Sequence, residues 1–106
     1  MHDRDRRTQR SERKLEALAF FLDAERERSG ASLLAVFDGE RVIAASGEPS
    51  ARRDLVTLMR RSTSSRDHYV LSMHAGSRAL SLACLDRRVR SVRSVERAVA
   101  RILGAV

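Results

Sequence analysis

Residue types that build disulfides and aromatic platforms are scarce in this 106-residue sequence. Its single cysteine, Cys84, excludes an internal disulfide and fits a reducing compartment. Tryptophan is absent, and the other aromatic residues are too few to interleave with basic side chains as a base-stacking nucleic-acid platform requires. No apolar run reaches the ~18 residues of a membrane span. The aromatic residues are Phe20, Phe21, Phe37 and Tyr69.

The N-terminal segment lacks two further signals. Residues 1–13 are charged and contain no apolar core of a signal peptide, so we expect a cytoplasmic protein. Residues 1–11 show no periodic apolar pattern, which predicts a disordered lead-in. The remaining residues, 12–106, are of the right length for one domain.

Positive charge is in clear excess. The chain carries 21 basic and 14 acidic residues, for a net charge of +7, and Lys14 is its only lysine. Arginine suits bidentate contact with carboxylates or phosphates. The same excess is also typical of a GC-rich genome, so composition alone does not assign it a function.

The clearest structural signal lies in residues 32–46. Two short runs of apolar, β-prone residues flank the dipeptide Asp38-Gly39, which readily supplies the positive φ angles of a tight turn. This pattern predicts an antiparallel hairpin of strands Leu33–Phe37 and Arg41–Ser46.

A second hairpin is predicted further along the chain. Apolar and polar residues alternate over 68–74, and the alternation resumes over Arg78–Leu85 after the turn Ala75-Gly76-Ser77. One face of the first strand would carry Tyr69, Leu71 and Met73, and one face of the second would carry Leu80, Leu82 and Cys84.

Apolar residues at helical spacing occur before, between and after the hairpins. The first predicted helix begins at the N-cap Ser11 and stops at Gly30, the middle one spans Arg52–Arg61, and the last carries an apolar stripe from Val92 onward. The order α-β-β-α-β-β-α predicts an α+β fold in which helices cover an antiparallel sheet of four to five strands.

Candidate catalytic groups are few and poorly placed. His68 and His74 share a strand face, yet at ~3.3 Å per residue they stand roughly 20 Å apart and cannot bind one metal ion. Cys84 alternates in phase with Leu80 and Leu82, which favours a buried structural thiol. The glycines are isolated, so no phosphate-binding loop is present. We therefore predict no catalytic residue, no metal site and no cofactor, and the chain is not expected to be an enzyme.

Residues 12–106 resemble the Roadblock family, small α+β proteins that regulate or scaffold small GTPases. The resemblance rests on the helix ending at Ser29-Gly30, on the hairpin of residues 34–46, and on the segment His68–Asp86. The last of these, with its Gly-x-Arg-Ala-Leu motif and a strand ending in Asp, looks like bacterial members that activate GTPases and control cell polarity and motility.

Two features depart from the family pattern. Residues 62–67 are too short for the additional strand that the family usually places before the second hairpin, and residues 87–103 contain no glycine before the last helix. The first departure bears on the dimer, because the family pairs its subunits through that strand.

The resemblance implies a non-catalytic function. We expect the chain to bind a Ras-like small GTPase and to alter its nucleotide cycle, by stimulating either hydrolysis or exchange. The alternatives are a dimerising adaptor for larger complexes and a basic nucleic-acid-binding module, of which the second is disfavoured by the scarcity of aromatic residues.

The resemblance also implies a two-fold homodimer formed through the middle helix, with Leu55, Leu58 and Met59 as contacts. The alternative is that these residues are buried against the sheet of their own chain. Arginine-bearing surfaces would complement the often acidic switch regions of a GTPase. Two such surfaces are predicted, one on the middle helix (Arg52, Arg53, Arg60 and Arg61) and one on the C-terminal helix (Arg90, Arg93, Arg97 and Arg101).

Overall fold

A computed structural model of the chain describes residues 2–39, 41–47 and 68–104, with side chains from Glu12 onward. Within these ranges an N-terminal helix, His2–Ser29, and a C-terminal helix, Val92–Leu103, accompany four strands. The predicted α+β class is confirmed. The predicted middle helix, Arg52–Arg61, lies outside the described residues. The strands are β1 (Leu33–Asp38), β2 (Arg41–Gly47), β3 (His68–Ala75) and β4 (Arg78–Leu85).

The four strands form one antiparallel sheet in the order β2-β1-β4-β3. Both predicted hairpins are present, and they join through β1 and β4, where Leu34 lies opposite Cys84 and Val36 opposite Leu82. A bulge on β2 shifts the register between Val36 and Phe37. The two central strands therefore come from different hairpins.

The main core lies between the sheet and the two helices. Leu18 and Leu22 of the N-terminal helix and Val95 and Val99 of the C-terminal helix are buried against one face of the sheet. This face carries Leu34 and Val36 of β1, Met73 and Ala75 of β3, and Leu80, Leu82 and Cys84 of β4, as the predicted alternation requires.

The opposite face of the sheet has a smaller core. Leu33, Ala35 and Phe37 of β1 and Ala83 of β4 form this second buried cluster. Since Leu34 and Val36 are buried on the other face, all five residues of Leu33–Phe37 are inaccessible to solvent. Burying a large apolar side chain contributes ~1.5–3 kcal/mol to the stability of the fold. Because its residues alternate between the two faces, β1 stabilises both cores.

The N-terminal helix begins at His2, so the predicted start at Ser11 is wrong. The reason is that apolar periodicity marks only the part of a helix that packs on a core, and here the helical conformation extends beyond that part toward the N-terminus. Residues 2–10 contain no glycine or proline, and their arginines and glutamine favour helix. The end of the helix is as predicted: Gly30 adopts a left-handed φ of 78° and its N–H donates to the Arg26 carbonyl at 2.9 Å.

The C-terminal helix is capped at both ends. The Ser91 hydroxyl accepts a hydrogen bond from the Ser94 N–H at 3.2 Å, which is N-cap geometry. At the other end Gly104, in the left-handed region, donates its N–H to the carbonyl of Arg101 at 3.2 Å. The bounds of the C-terminal helix therefore follow from its local sequence.

Neither helix in the described ranges has the length and hydropathy that crossing a bilayer demands.

Polar contacts fix the N-terminal helix to strand β2. The Arg26 Nε donates to the Ser46 hydroxyl at 2.9 Å, and that hydroxyl donates in turn to the Asp23 carboxylate. Ser46 is almost fully buried, and the two helix residues supply both of its hydrogen bonds. These hydrogen bonds link the last turns of the helix to strand β2.

Gly47, the last residue of β2, generates a test of the fold. It has a φ of 139°, and an added Cβ would lie 2.5 Å from the Ser32 carbonyl oxygen. We expect Gly47→Ala to lower the free energy of unfolding by about 2–4 kcal/mol, through strain and a backbone clash. Urea unfolding monitored by circular dichroism measures this loss.

Gly39→Ala is the matched control. Its φ is 63°, but an added Cβ there meets no atom within 4 Å, so only the left-handed strain of about 1 kcal/mol remains. Equal losses in the two variants would contradict the close approach of Gly47 to the Ser32–Leu33 backbone.

Candidate partner-binding surfaces

The arginines predicted on the C-terminal helix face solvent. Arg90 lies one position before the N-cap Ser91, and Arg93, Arg97 and Arg101 are exposed on the side opposite the buried Val95 and Val99. Neither of the two ion pairs found among the described residues involves them. This arginine row therefore presents charge that no described carboxylate neutralises.

The residues predicted on the middle helix cannot be placed. All of them fall in 48–67, outside the described ranges, so the structure brings none of them to a surface or an interface. These are the dimer contacts Leu55, Leu58 and Met59 and the basic residues Arg52, Arg53, Arg60 and Arg61.

The structure also has a basic surface that the sequence analysis did not predict. An open cleft of about 360 Å³ lies between the N-terminal helix, the β1–β2 hairpin and the end of the C-terminal helix. Its walls combine apolar and cationic side chains, which is the composition that suits an anionic group with an apolar body. The lining residues are Lys14, Leu15, Asp38, Arg41, Val42, Ile43, Arg78 and Leu103.

The polar groups of this cleft are held by long-range contacts. Arg78 at the start of β4 donates to the Asp38 carboxylate at the end of β1, at 2.7 Å, and both side chains are about half exposed. The Lys14 ammonium donates to the Leu103 carbonyl at 3.2 Å, at the C-terminus of its helix, where a cation is favourable. Because Asp38 pairs with Arg78, the net charge of the cleft comes from Lys14 and Arg41.

Sequence spacing does not predict this cleft. The Asp38-Gly39 pattern indicates a turn, and Asp38 lies forty positions from Arg78 in the chain. Only the pairing of β1 with β4 brings the two together, and the alternation within each hairpin does not specify that pairing. The adjacent basic residues Lys14 and Arg41 belong to different elements, so no local motif marks them.

The histidines and the cysteine lie where the sequence predicted. Among the described residues no group of three or more histidine, cysteine, aspartate or glutamate side chains could hold a metal ion. The backbone N–H of His74 donates to the Glu96 carboxylate at 2.8 Å, which ties β3 to the C-terminal helix. Cys84 is buried in the main core, as expected for a structural thiol.

Burial controls the chemistry of this thiol. Loss of hydration raises the pKa of Cys84 above its ordinary value of 9.0, and this outweighs a hydrogen bond with the Val89 backbone and the positive charge of Arg88. The thiol is therefore neutral at physiological pH and a poor nucleophile.

Comparisons with known proteins support the fold. A scan of protein-family models found no match, and a search of curated proteins also found none. Among solved structures, the chain is similar to the gliding protein mglB from Thermus thermophilus, with a TM-score of 0.62 and 14% sequence identity. The match covers 88% of this chain and 93% of that one.

This likeness identifies the architecture. The chain has the α+β fold of mglB, which is the Roadblock type that the sequence resembles. The predicted α+β fold with an antiparallel sheet is thereby confirmed for the two helices and four strands of the described residues.

The raised pKa of Cys84 predicts a pH dependence of stability. Above pH 9 the unfolded chain ionises this thiol while the folded chain keeps it protonated, so its contribution to stability is complete below pH 9 and is lost as the pH rises toward the folded pKa. The loss is at most about 1.4 kcal/mol per pH unit.

The measurement compares the wild-type chain with Cys84→Ala by urea unfolding between pH 7 and 10.5. The difference in the free energy of unfolding should shrink as the pH rises past 9. Comparing two variants cancels the titration of all other groups. A constant difference would contradict the raised pKa.

Proposed function

We propose that this chain is a non-catalytic regulator of a Ras-like small GTPase. The observation that carries the proposal is the fold, since the chain and the gliding protein mglB match over nearly their full lengths. The family resemblance of the sequence connects this architecture with small GTPases. The exposed arginine row adds a surface of suitable charge for an acidic switch region.

The arginine row suits recognition better than structure. Arg93, Arg97 and Arg101 are all exposed, and neither ion pair of the described residues holds them in place. Guanidinium groups on successive turns can each pair bidentately with a carboxylate. The middle-helix arginines, Arg52, Arg53, Arg60 and Arg61, remain the other candidate contact.

Nucleotide-cycle assays test the function directly. Ras-like GTPases of the same organism are the partners to use, with hydrolysis measured in single turnover and exchange measured with a fluorescent nucleotide. A change in either rate supports regulation. Binding with both rates unchanged would instead indicate a dimerising adaptor, and absence of binding would refute the proposal. Salt-sensitive binding to DNA would favour the nucleic-acid-binding alternative.

Charge reversal of the arginine row tests where the GTPase binds. We expect Arg93→Glu/Arg97→Glu to weaken GTPase binding at least tenfold, because attraction to acidic groups becomes repulsion. Both positions are exposed, so the free energy of unfolding should change by only about 0.5 kcal/mol.

The double variant Arg93→Lys/Arg97→Lys is the matched control, because it keeps the charge and loses only the bidentate geometry. Arg60→Glu/Arg61→Glu is the parallel test of the other candidate surface. If the reversed variant folds and binds with unchanged affinity, the arginine row is not the contact surface.

We further propose a homodimer that uses Leu55, Leu58 and Met59. An antiparallel sheet has two edge strands, and proteins rarely leave such edges uncovered. Light scattering at micromolar concentration should give a dimer mass or a multiple of it, and Leu58→Arg should lower that mass while circular dichroism stays unchanged. A monomer mass for the wild-type chain would reject the dimer.

A further inference from the structure

The outer face of the N-terminal helix carries an exposed aromatic side chain. Phe20 is 78% exposed, the largest value among the exposed large hydrophobic residues that the structure describes. At 100° per residue it points away from Leu18 and Leu22, which are fully buried against the sheet. Packing among residues 12–39, 41–47 and 68–104 therefore does not account for Phe20.

Phe20 belongs to a stripe with the spacing of a helix-pairing surface. Exposed residues recur four, three, four and three positions apart, which is the repeat of residues facing a partner helix. Two of them are alanine, so a second helix could approach closely. We call this set the outer stripe; it consists of Arg13, Ala17, Phe20, Ala24 and Glu27.

Charge divides along this helix. Residues 2–14 contain six basic and three acidic residues, whereas residues 15–29 contain four acidic and two basic ones. A basic N-terminal half opposes the helix macrodipole, because the positive end of the dipole lies there. The distribution is therefore unfavourable within one helix, but two antiparallel copies would place each basic half beside an acidic half.

In the basic half the structure describes the side chains of residues 12–14; none of these is buried, and Lys14 contacts the rest of the domain through its hydrogen bond to the Leu103 carbonyl. Among the helix residues whose side chains the structure describes, from Glu12 onward, the first buried one is Leu18, and residues 12–17 are all exposed. Positions 2–13 hold no apolar residue at all. Short helices without apolar packing are marginally stable in water, so a helix that begins with twelve residues lacking any apolar side chain would gain stability from a neighbouring helix.

We propose that two copies of this chain pair through their N-terminal helices, antiparallel and crossing at Ala17. In this register Phe20 of one copy lies beside Arg13 of the other, where a guanidinium can stack on the aromatic ring. Continuing outward, Ala24 lies opposite position 10 and Glu27 opposite positions 6 and 7, all three of which are arginine.

A second copy is the occupant that the sequence favours, because both complementary halves occur on one helix. An interface of this kind is isologous: the same surface is used twice around a two-fold axis. Small residues belong at such an axis, and Ala17 occupies it. The pairing uses no residue of 48–67 and does not depend on a GTPase.

Disulfide trapping tests the proposed register. Under mild oxidation, Ala17→Cys should form a covalent dimer, because two copies bring position 17 close to itself across the axis. Ala24→Cys alone should not, whereas a mixture of Ala24→Cys and Arg10→Cys should cross-link. The wild-type chain, with its buried Cys84, controls for unrelated oxidation.

Two results of this experiment would overturn the proposal. One is the absence of any cross-link at position 17, and the other is a 24–24 cross-link as efficient as 17–17, which would mean parallel helices. Dimerisation through Leu55, Leu58 and Met59 would produce neither pattern, so the two interfaces are distinguishable.

Sedimentation velocity with charge-swapped chains provides a second measurement. Glu16→Arg/Glu27→Arg and Arg7→Glu/Arg10→Glu should each self-associate at least tenfold more weakly than the wild-type chain. Their equimolar mixture should recover association, because opposite charges then face each other along both halves. Failure of the mixture to recover would contradict the antiparallel arrangement. Phe20→Ser should also weaken self-association, and unchanged association would exclude Phe20 as an anchor.

Discussion

The structure depends on the double burial of strand β1. Every residue from Leu33 to Phe37 is inaccessible to solvent, with alternate side chains contributing to opposite faces of the sheet. The strand pairs on one side with its hairpin partner and on the other with β4, which begins more than thirty residues later. Through these two pairings β1 joins the two hairpins into one sheet, and both helices pack on one face of that sheet.

This arrangement separates the buried core from the surfaces that we propose for partner binding. The inner faces of the two helices are used by the core, through Leu18, Leu22, Val95 and Val99. Their outer faces carry the arginine row on one helix and the outer stripe on the other. The basic cleft forms where the helix ends meet the hairpin. The charged side chains therefore lie outside the core, and the fold that holds them is the one shared with mglB.

Most of the fold could be predicted from local sequence patterns, because strand alternation, turns and helix ends are determined by residues that are close together in the chain. Alternation placed the strands, Gly30 marked a helix end, and the phase of Cys84 gave its burial. The start of the N-terminal helix was missed, since apolar periodicity reports packing and not conformation. The cleft was missed as well, because the contact of Asp38 with Arg78 exists only through the pairing of distant strands. Phe20 could have been found from its position opposite Leu18 and Leu22.

The most direct test of the central role of β1 is native-state amide hydrogen exchange. Amides that open only in global unfolding exchange slowest, with a free energy equal to that of unfolding. The account predicts that the amides of residues 34–37 and of 80–84 in β4 form this slowest group, and that the amides of β2 and the first turns of the N-terminal helix exchange faster. If β1 exchanged as readily as β2, the fold would not depend on it.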